Sequence, residues 1–128
     1  MIRGGCLCGA VRYETAREPV FVCKCYCATC RRESGAGHLT IVVVPAEGFA
    51  MKGATKTVTL KRENDAPPIP RTFCVECGTT VYSQSSPDHV NIRAGTIDGV
   101  FTLNVQVSEW ASHAQPWDLP PAGVPTEA

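Results

Sequence analysis

The chain has 128 residues, eight of them cysteine, and its twelve basic residues balance twelve acidic ones at a formal net charge of zero. This length predicts one domain, residues 1–128, which is large enough to bury a hydrophobic core. A neutral chain without a basic extension argues against a nucleic-acid partner. The longest apolar run, Ile41 to Val44, is far shorter than the ~20 residues of a membrane span, and no apolar stretch follows Met1. We therefore expect a soluble, cytoplasmic protein that binds no membrane.

Alternation of apolar and polar residues predicts a mainly β chain. Strands are expected at residues 10–14, 20–23, 39–44, 49–51, 55–62, 71–73, 79–83, 90–94 and 103–107. One helix of at most two turns is predicted from Cys27 to Ser34, where Gly35 ends it. The run Leu39 to Val44 is apolar throughout, which indicates a strand buried on both faces. The proline-rich segment 63–70 is expected to be a surface loop.

Four of the cysteines form two knuckles that lie far apart in the sequence. Cys6 and Cys8 are flanked by glycines that free the backbone to turn beneath a metal ion. Cys74 and Cys77 form a C-x-x-C-G knuckle of the same kind. Pairing the two knuckles closes a four-thiolate site of the structural zinc type. Such a site would tie the N-terminus to the middle of the chain, so its loss should unfold the protein.

Three further thiols follow one another within six residues, at Cys25, Cys27 and Cys30. The first two thiols of this C-x-C pair would bind an ion from an extended segment. The third thiol would bind it from the first turn of the predicted helix. Three ligands leave one tetrahedral position free for water or a substrate atom, so these residues are the candidates for catalysis. Cys23 is either a buried strand thiol or a spare ligand.

Disulfide bonds are the alternative use of these eight cysteines. Closely spaced C-x-C pairs are poor disulfide partners for one another, so bridges would have to join separate clusters. The expected reducing compartment favours metal ligands over such a framework. The interpretation is therefore two zinc ions per chain.

Several motifs resemble the glutathione-dependent formaldehyde-activating enzyme family, which is shared with relatives of centromere protein V. The resemblance rests on G-G-C-L-C-G-A-V-R-Y at 4–13, C-x-C-x-x-C-R-R at 25–32, S-G at 34–35, F-C-x-x-C-G at 73–78, A-G-T-I-D at 94–98, and the tryptophans at 110 and 117. It implies a β-tent fold of several small coiled sheets. It also implies a structural zinc on the four knuckle cysteines and a catalytic zinc on Cys25, Cys27 and Cys30.

The activity that the resemblance implies is that of a carbon–sulfur lyase. Such an enzyme joins formaldehyde, or a related aldehyde, to glutathione or a similar thiol, giving S-hydroxymethylglutathione reversibly. A thiol that takes the open metal position would lose its proton and could then add to the carbonyl carbon. Zinc acting as a Lewis acid on the aldehyde oxygen is the other route. A non-catalytic zinc module for protein or nucleic-acid contacts is the alternative function.

Side chains near the three thiols each have more than one interpretation. Arg31 and Arg32 follow the last thiol and could bind the carboxylates of a glutathione-like ligand, or could be solvated helix charges. His38 could be a fourth ligand, a proton carrier or a half-buried polar residue. Trp110 and Trp117 could close over the site or pin the C-terminal segment to the sheet.

Overall fold

The computed structural model describes residues 1–128, apart from the side chain of Asn64. The described chain contains ten strands and one α-helix, α1 (Ala28–Ser34). The strands are β1 (Ile2–Gly5), β2 (Arg12–Thr15), β3 (Phe21–Cys25), β4 (Leu39–Pro45), β5 (Ala50–Lys52), β6 (Thr55–Thr59), β7 (Pro70–Cys74), β8 (Thr80–Ser83), β9 (His89–Arg93) and β10 (Val107–Glu109). The mainly β fold class with one short helix is confirmed.

The strands form two sheets. Strands β1, β2 and β5 make a three-stranded antiparallel sheet in that order. The other seven make one sheet in the order β10-β3-β4-β9-β8-β7-β6, in which the β10–β3 pair is parallel and the remaining pairs are antiparallel. Two of its six neighbouring pairs, β10–β3 and β4–β9, join strands that are distant in sequence, so residues from most of the chain meet on its faces.

The two faces of strand β4 have different environments. Val42 and Val44 are fully buried in the main hydrophobic core. Ile41 and Val43 point to the other face, where they are only half-buried and line a cavity. The prediction of a strand buried on both faces is therefore wrong for the second face, since its apolar side chains form a cavity wall rather than packed core.

The boundaries of helix α1 follow from its two caps. Cys27 has extended backbone angles, and its Sγ accepts a hydrogen bond from the Cys30 N–H at 3.3 Å. Gly35 takes the left-handed conformation, with φ of 71°, and donates its N–H to the Arg31 carbonyl at 2.9 Å. A residue with a Cβ would be strained at that φ, so glycine suits the end of the helix. The predicted helix is confirmed to within one residue.

The last strand lies later in the chain than predicted. The sequence pattern predicts a strand at 103–107, whereas β10 begins at Val107 and runs parallel to β3, with Val107 opposite Cys23. Leu103 and Val105 pack against the main core from outside the ladder. Leu103 and Val105 alternate with polar residues because only one side of this segment packs against the core. A hydrogen-bonded strand gives the same alternation, so the sequence pattern does not distinguish the two.

Three further strand boundaries differ between the sequence prediction and the structure. Strand β1 was not predicted because it contains two glycines, yet a Cβ on Gly4 would lie 2.2 Å from the Thr96 carbonyl oxygen, so the close approach of the chain requires glycine there. Strand β7 starts at Pro70, the first strand position, where the missing N–H is tolerated. The predicted strand 55–62 ends at Thr59, and beyond it Leu60 is exposed while Arg62 lines the cavity.

The C-terminal segment runs beside β10. The Ser108 N–H donates to the Pro125 carbonyl at 2.8 Å, and the Glu127 N–H donates to the Ser108 carbonyl at 2.9 Å. The Ala111 N–H also donates to the Glu127 carbonyl, at 2.7 Å. These bonds cover an edge strand that would otherwise present unpaired backbone groups.

Candidate functional site

The two cysteine knuckles predicted to share one ion do meet in space. The Sγ atoms of Cys6, Cys8, Cys74 and Cys77 all lie within 4.8 Å of one another. The Cys6–Cys8 and Cys8–Cys74 sulfur separations are 3.6 and 3.8 Å. Tetrahedral zinc with Zn–S bonds of ~2.3 Å requires sulfur atoms ~3.8 Å apart, so this donor set fits such an ion.

Neighbouring donors favour the ionised form of two of these sulfurs, those of Cys6 and Cys77. The Val11 N–H donates to Cys6 Sγ at 3.2 Å. The Thr79 hydroxyl lies 3.2 Å from Cys77 Sγ and is the main reason that the pKa of Cys77 falls to about 5. Hydrogen bonds to a thiolate stabilise the form that binds metal.

The other three thiols form a second, buried cluster. Cys25 ends β3, Cys27 caps α1 and Cys30 lies in its first turn, so a strand end and a helix start position all three. Their Sγ atoms lie within 4.8 Å of one another, as the C-x-C-x-x-C spacing predicts. Exposure of these residues is 5%, 0% and 4%, respectively. The arrangement fits a metal ion bound by three sulfurs.

The pKa values of the thiols in the second cluster also fit a bound metal ion. Hydrogen bonds from the Cys25 and Cys30 thiols hold the pKa of Cys27 far below its usual range. Conversely, the side chain of Cys27 raises the pKa of Cys25 to about 12. Three buried thiolates repel one another, so only one ionises readily without a counter-charge. A cation bound between them is what would allow all three to ionise together.

A cavity of about 410 Å³ opens beside this second cluster. It lies over one face of the seven-stranded sheet, and its volume falls within the ~300–1,000 Å³ typical of small-molecule sites. Cys25 and Cys30 line it, together with the apolar side chains of Phe21, Leu39 and Ile41. Two of the three clustered thiols therefore lie on the wall of a cavity large enough for a small molecule.

His38 lies near the cluster but has another partner. Its Nδ1 is 2.6 Å from Asp118 Oδ2, and its ring packs on Tyr26 with centroids 5.0 Å apart. Among the described residues, the group that can hold a metal here contains the three cysteines and not His38. His38 thus joins the C-terminal segment to the turn before β4.

The arginines that line the cavity are not those that the sequence singled out. Arg32 is exposed and Arg31 half-buried on α1, and neither belongs to the lining. The lining contains Arg62, Arg71 and Arg93 instead. Binding of a ligand by Arg31 or Arg32 stays a prediction.

A buried carboxylate on α1 organises two of these arginines. Arg93 donates to Glu33 through Nε and Nη2, both at 2.7 Å, and Arg71 Nε also donates to Glu33. Arg93 further donates to Ser83 Oγ at 3.0 Å. The sequence analysis did not predict this cluster. The alternation in β9, where the polar residues Asn91 and Arg93 are two positions apart, could have indicated that Arg93 lies on the same face as Asn91.

Cys23 and Trp110 complete the site. Cys23 lines the cavity two residues before Cys25 on the same face of β3, but its sulfur lies outside the three-thiol cluster. Burial, and then the adjacent Glu109 carboxylate, raise the pKa of Cys23. Trp110 lines the cavity and packs against the cluster, whereas Trp117 is 68% exposed. The two tryptophans therefore occupy different environments.

None of the described helices has the length and apolar character needed to cross a membrane.

Two groups of clustered thiols on a mainly β scaffold, one of them opening onto a cavity, define a cysteine-rich protein with two groups of residues that could hold metal ions. The family model described as "Glutathione-dependent formaldehyde-activating enzyme" matches residues 1–114, so the chain belongs to this family. The resemblance of the sequence motifs to the formaldehyde-activating family is thereby confirmed, and the link to centromere protein V relatives stays a prediction. Family membership supports an enzymatic function related to formaldehyde and glutathione.

A solved structure shares the fold. The crystal structure of a Rhodobacter sphaeroides protein is similar, with a TM-score of 0.59 and 22% sequence identity. The alignment covers 98% of this chain and 99% of that chain. At this identity the likeness concerns the fold alone, and it extends over the whole length of both chains.

Proposed function

We propose that the protein is a zinc-dependent carbon–sulfur lyase of the S-(hydroxymethyl)glutathione synthase type. It joins formaldehyde, or a related small aldehyde, to glutathione or a similar thiol. The observation that carries this proposal is the three-thiol cluster of Cys25, Cys27 and Cys30, which opens onto a cavity of about 410 Å³. The match of residues 1–114 to the formaldehyde-activating family supports the choice of substrates.

The two clusters would hold zinc for different purposes. Cys6, Cys8, Cys74 and Cys77 supply a complete tetrahedral set, so that ion would be structural. The three-thiol cluster leaves one coordination position open. A zinc ion held there would supply a Lewis-acidic centre at which a coordinating thiol is deprotonated.

The reaction itself needs few groups. The substrate sulfur forms a bond to the carbonyl carbon, the carbon–oxygen double bond becomes single, and the thiol proton ends on the new hydroxyl oxygen. The reverse reaction breaks the same carbon–sulfur bond. Phe21, Leu39 and Ile41 give the cavity an apolar wall beside the thiols, against which a small aldehyde could pack. Three thiolate ligands weaken a metal as a Lewis acid, which favours activation of the thiol over activation of the aldehyde.

Metal analysis with added glutathione tests this proposal. We expect two zinc ions per purified chain, with the environment of one altered by the thiol. NMR exchange spectroscopy should then show faster interconversion of formaldehyde and its glutathione adduct with the protein than without it. A single zinc that is insensitive to thiols, with unchanged exchange, would contradict the proposal and favour a non-catalytic zinc module.

A further inference from the structure

The cavity beside the three thiols is lined by three arginines, Arg62, Arg71 and Arg93, and by one carboxylate, that of Glu109. Arg71 and Arg93 are 7% and 4% exposed, and they share the single carboxylate of Glu33. Two guanidinium groups against one carboxylate leave one positive charge without a protein counter-charge in this cluster. Burying such a charge is costly unless an anion accompanies it.

The hydrogen bonds of Arg71 leave one end of its guanidinium group unused. Its Nε donates to Glu33 and its Nη1 donates to the Ile69 carbonyl at 3.1 Å. Its Nη2 makes no hydrogen bond to any group that the structure describes, and the residue lines the cavity. Arg62, on the same cavity, has a buried Nε that also lacks a partner among the described groups. Arg71 Nη2 is therefore the donor that a ligand in the cavity could use, whereas Arg62 contributes a further positive charge to the lining.

The position of Glu33 places this donor near the thiols. Glu33 follows Cys30 by three residues on α1, and residues with this spacing lie on the same face of a helix, ~5–6 Å apart. The carboxylate therefore holds Arg71 and Arg93 next to the three-thiol cluster. A single small molecule could reach both the thiols and the arginine end of the cavity.

We propose that Arg71 binds a carboxylate of the thiol substrate, with Arg93 and Glu33 holding it in position, so that the cavity selects acidic small thiols. This inference rests on the proposed function, in which the substrate sulfur sits at the three-thiol cluster. Arg71 is the ligand-binding residue because it lines the cavity and its Nη2 makes no hydrogen bond to the described groups. Arg93 is a positioning residue, since Glu33, Ser83 and the Asn91 carbonyl occupy its donors.

Removing Arg71 should leave the fold intact. In Arg71→Gln, Glu33 keeps its two hydrogen bonds to Arg93, so the remaining carboxylate and guanidinium neutralise each other. Arg71→Lys keeps the positive charge but loses the planar fork that matches a carboxylate. Arg17, exposed and in a loose 3.9 Å ion pair with Glu47, provides a matched control outside the cavity. Circular dichroism and zinc content should be unchanged in all three variants.

The test compares glutathione with its diethyl ester, in which both carboxylates are masked. Isothermal titration calorimetry measures the affinity of the purified protein for each thiol. The wild type should bind glutathione roughly 10- to 100-fold more tightly than the ester, which is the range for a charge-assisted hydrogen bond. Arg71→Gln should lose most of this preference by weakening glutathione binding alone. Arg71→Lys should retain part of it, and Arg17→Gln all of it.

Activity measurements on the same variants separate this proposal from the proposed function. Arg71→Gln should raise KM for glutathione and leave KM for the ester and kcat nearly unchanged. Equal affinity of the wild type for the two thiols, or equal weakening of both by Arg71→Gln, would overturn the carboxylate subsite. Loss of the preference in Arg32→Gln instead would place the subsite on the helix surface and overturn it too. A charge preference that depends on Arg71 in a protein without adduct-forming activity would overturn only the proposed function.

Discussion

Cys27 has two roles, as one of the three clustered thiols and as the N-cap of α1. We expect Cys27→Ser to remove the ligand and keep the cap, since serine is a favoured N-cap residue. The variant should stay folded, retain one zinc ion and lose thiol-dependent activity. Circular dichroism together with metal analysis measures both properties.

The neighbouring thiol provides the control for that variant. Cys23 lines the cavity but lies outside the three-thiol cluster, so Cys23→Ser should keep two zinc ions. If Cys27→Ser retained both zinc ions or full activity, the assignment of the second cluster as a catalytic metal site would be wrong.

A second prediction at this scale concerns Gly37. A Cβ added there would lie 2.3 Å from Asp118 Oδ2 and 2.4 Å from its Cβ, so the aspartate and its contact with His38 would have to shift. Gly37→Ala should lower the free energy of unfolding by about 1–3 kcal/mol, the usual cost of overpacking. Urea denaturation measures this change. Gly95, which has no atom within 4 Å of the equivalent Cβ position, is the matched control, and an equal effect of Gly95→Ala would contradict the steric explanation.

At the scale of elements, Glu33 attaches helix α1 to strands β7 and β9. Its carboxylate is 10% exposed and bonds to Arg71 and Arg93. Glu33→Gln should destabilise the protein by ~3–5 kcal/mol, since removing one partner of a buried ion pair leaves uncompensated charge. Chemical denaturation followed by circular dichroism tests this expectation.

The control for Glu33 is another glutamate in an ion pair. Glu47 is 93% exposed and lies 3.9 Å from Arg17, so its pair is screened by water. Glu47→Gln should leave the denaturation midpoint unchanged. Similar midpoints for the two variants would show that the buried carboxylate does not hold the helix in place.

At the scale of the whole molecule, the four-thiol cluster joins the N-terminal segment to the end of β7. Cys8 and Cys74 are 66 positions apart in sequence, and their sulfurs are 3.8 Å apart. If the cluster binds zinc, Cys74→Ser should unfold the chain, because apparent zinc-binding energies of ~10–16 kcal/mol match or exceed the ~5–15 kcal/mol stability of a typical domain. Thermal denaturation and metal analysis should show loss of both folding and zinc. A cooperative transition like that of the wild type would contradict a structural role for this ion.

Local features of the structure could be predicted from the sequence because short spacings constrain them. The C-x-C-x-x-C spacing brings Cys25, Cys27 and Cys30 together within one strand end and one helical turn. The helix could be predicted because Cys27 caps its N-terminus and Gly35 ends it. The pairing of the two distant knuckles was also predictable, since tetrahedral zinc needs four ligands and each knuckle supplies two. These features depend on nearest neighbours in the chain or on a coordination number.

Only the tertiary structure decided which charged residues face the thiols. Arg71 and Arg93 come from strands β7 and β9, and the sheet order brings them to Glu33, 38 and 60 positions away in sequence. The alternation of a strand indicates which residues share a face, but it does not say which face covers the core and which covers a cavity. That choice depends on long-range strand pairing, and so the sequence by itself determined the two groups of clustered thiols, while the fold determined which arginines line the cavity beside the second group.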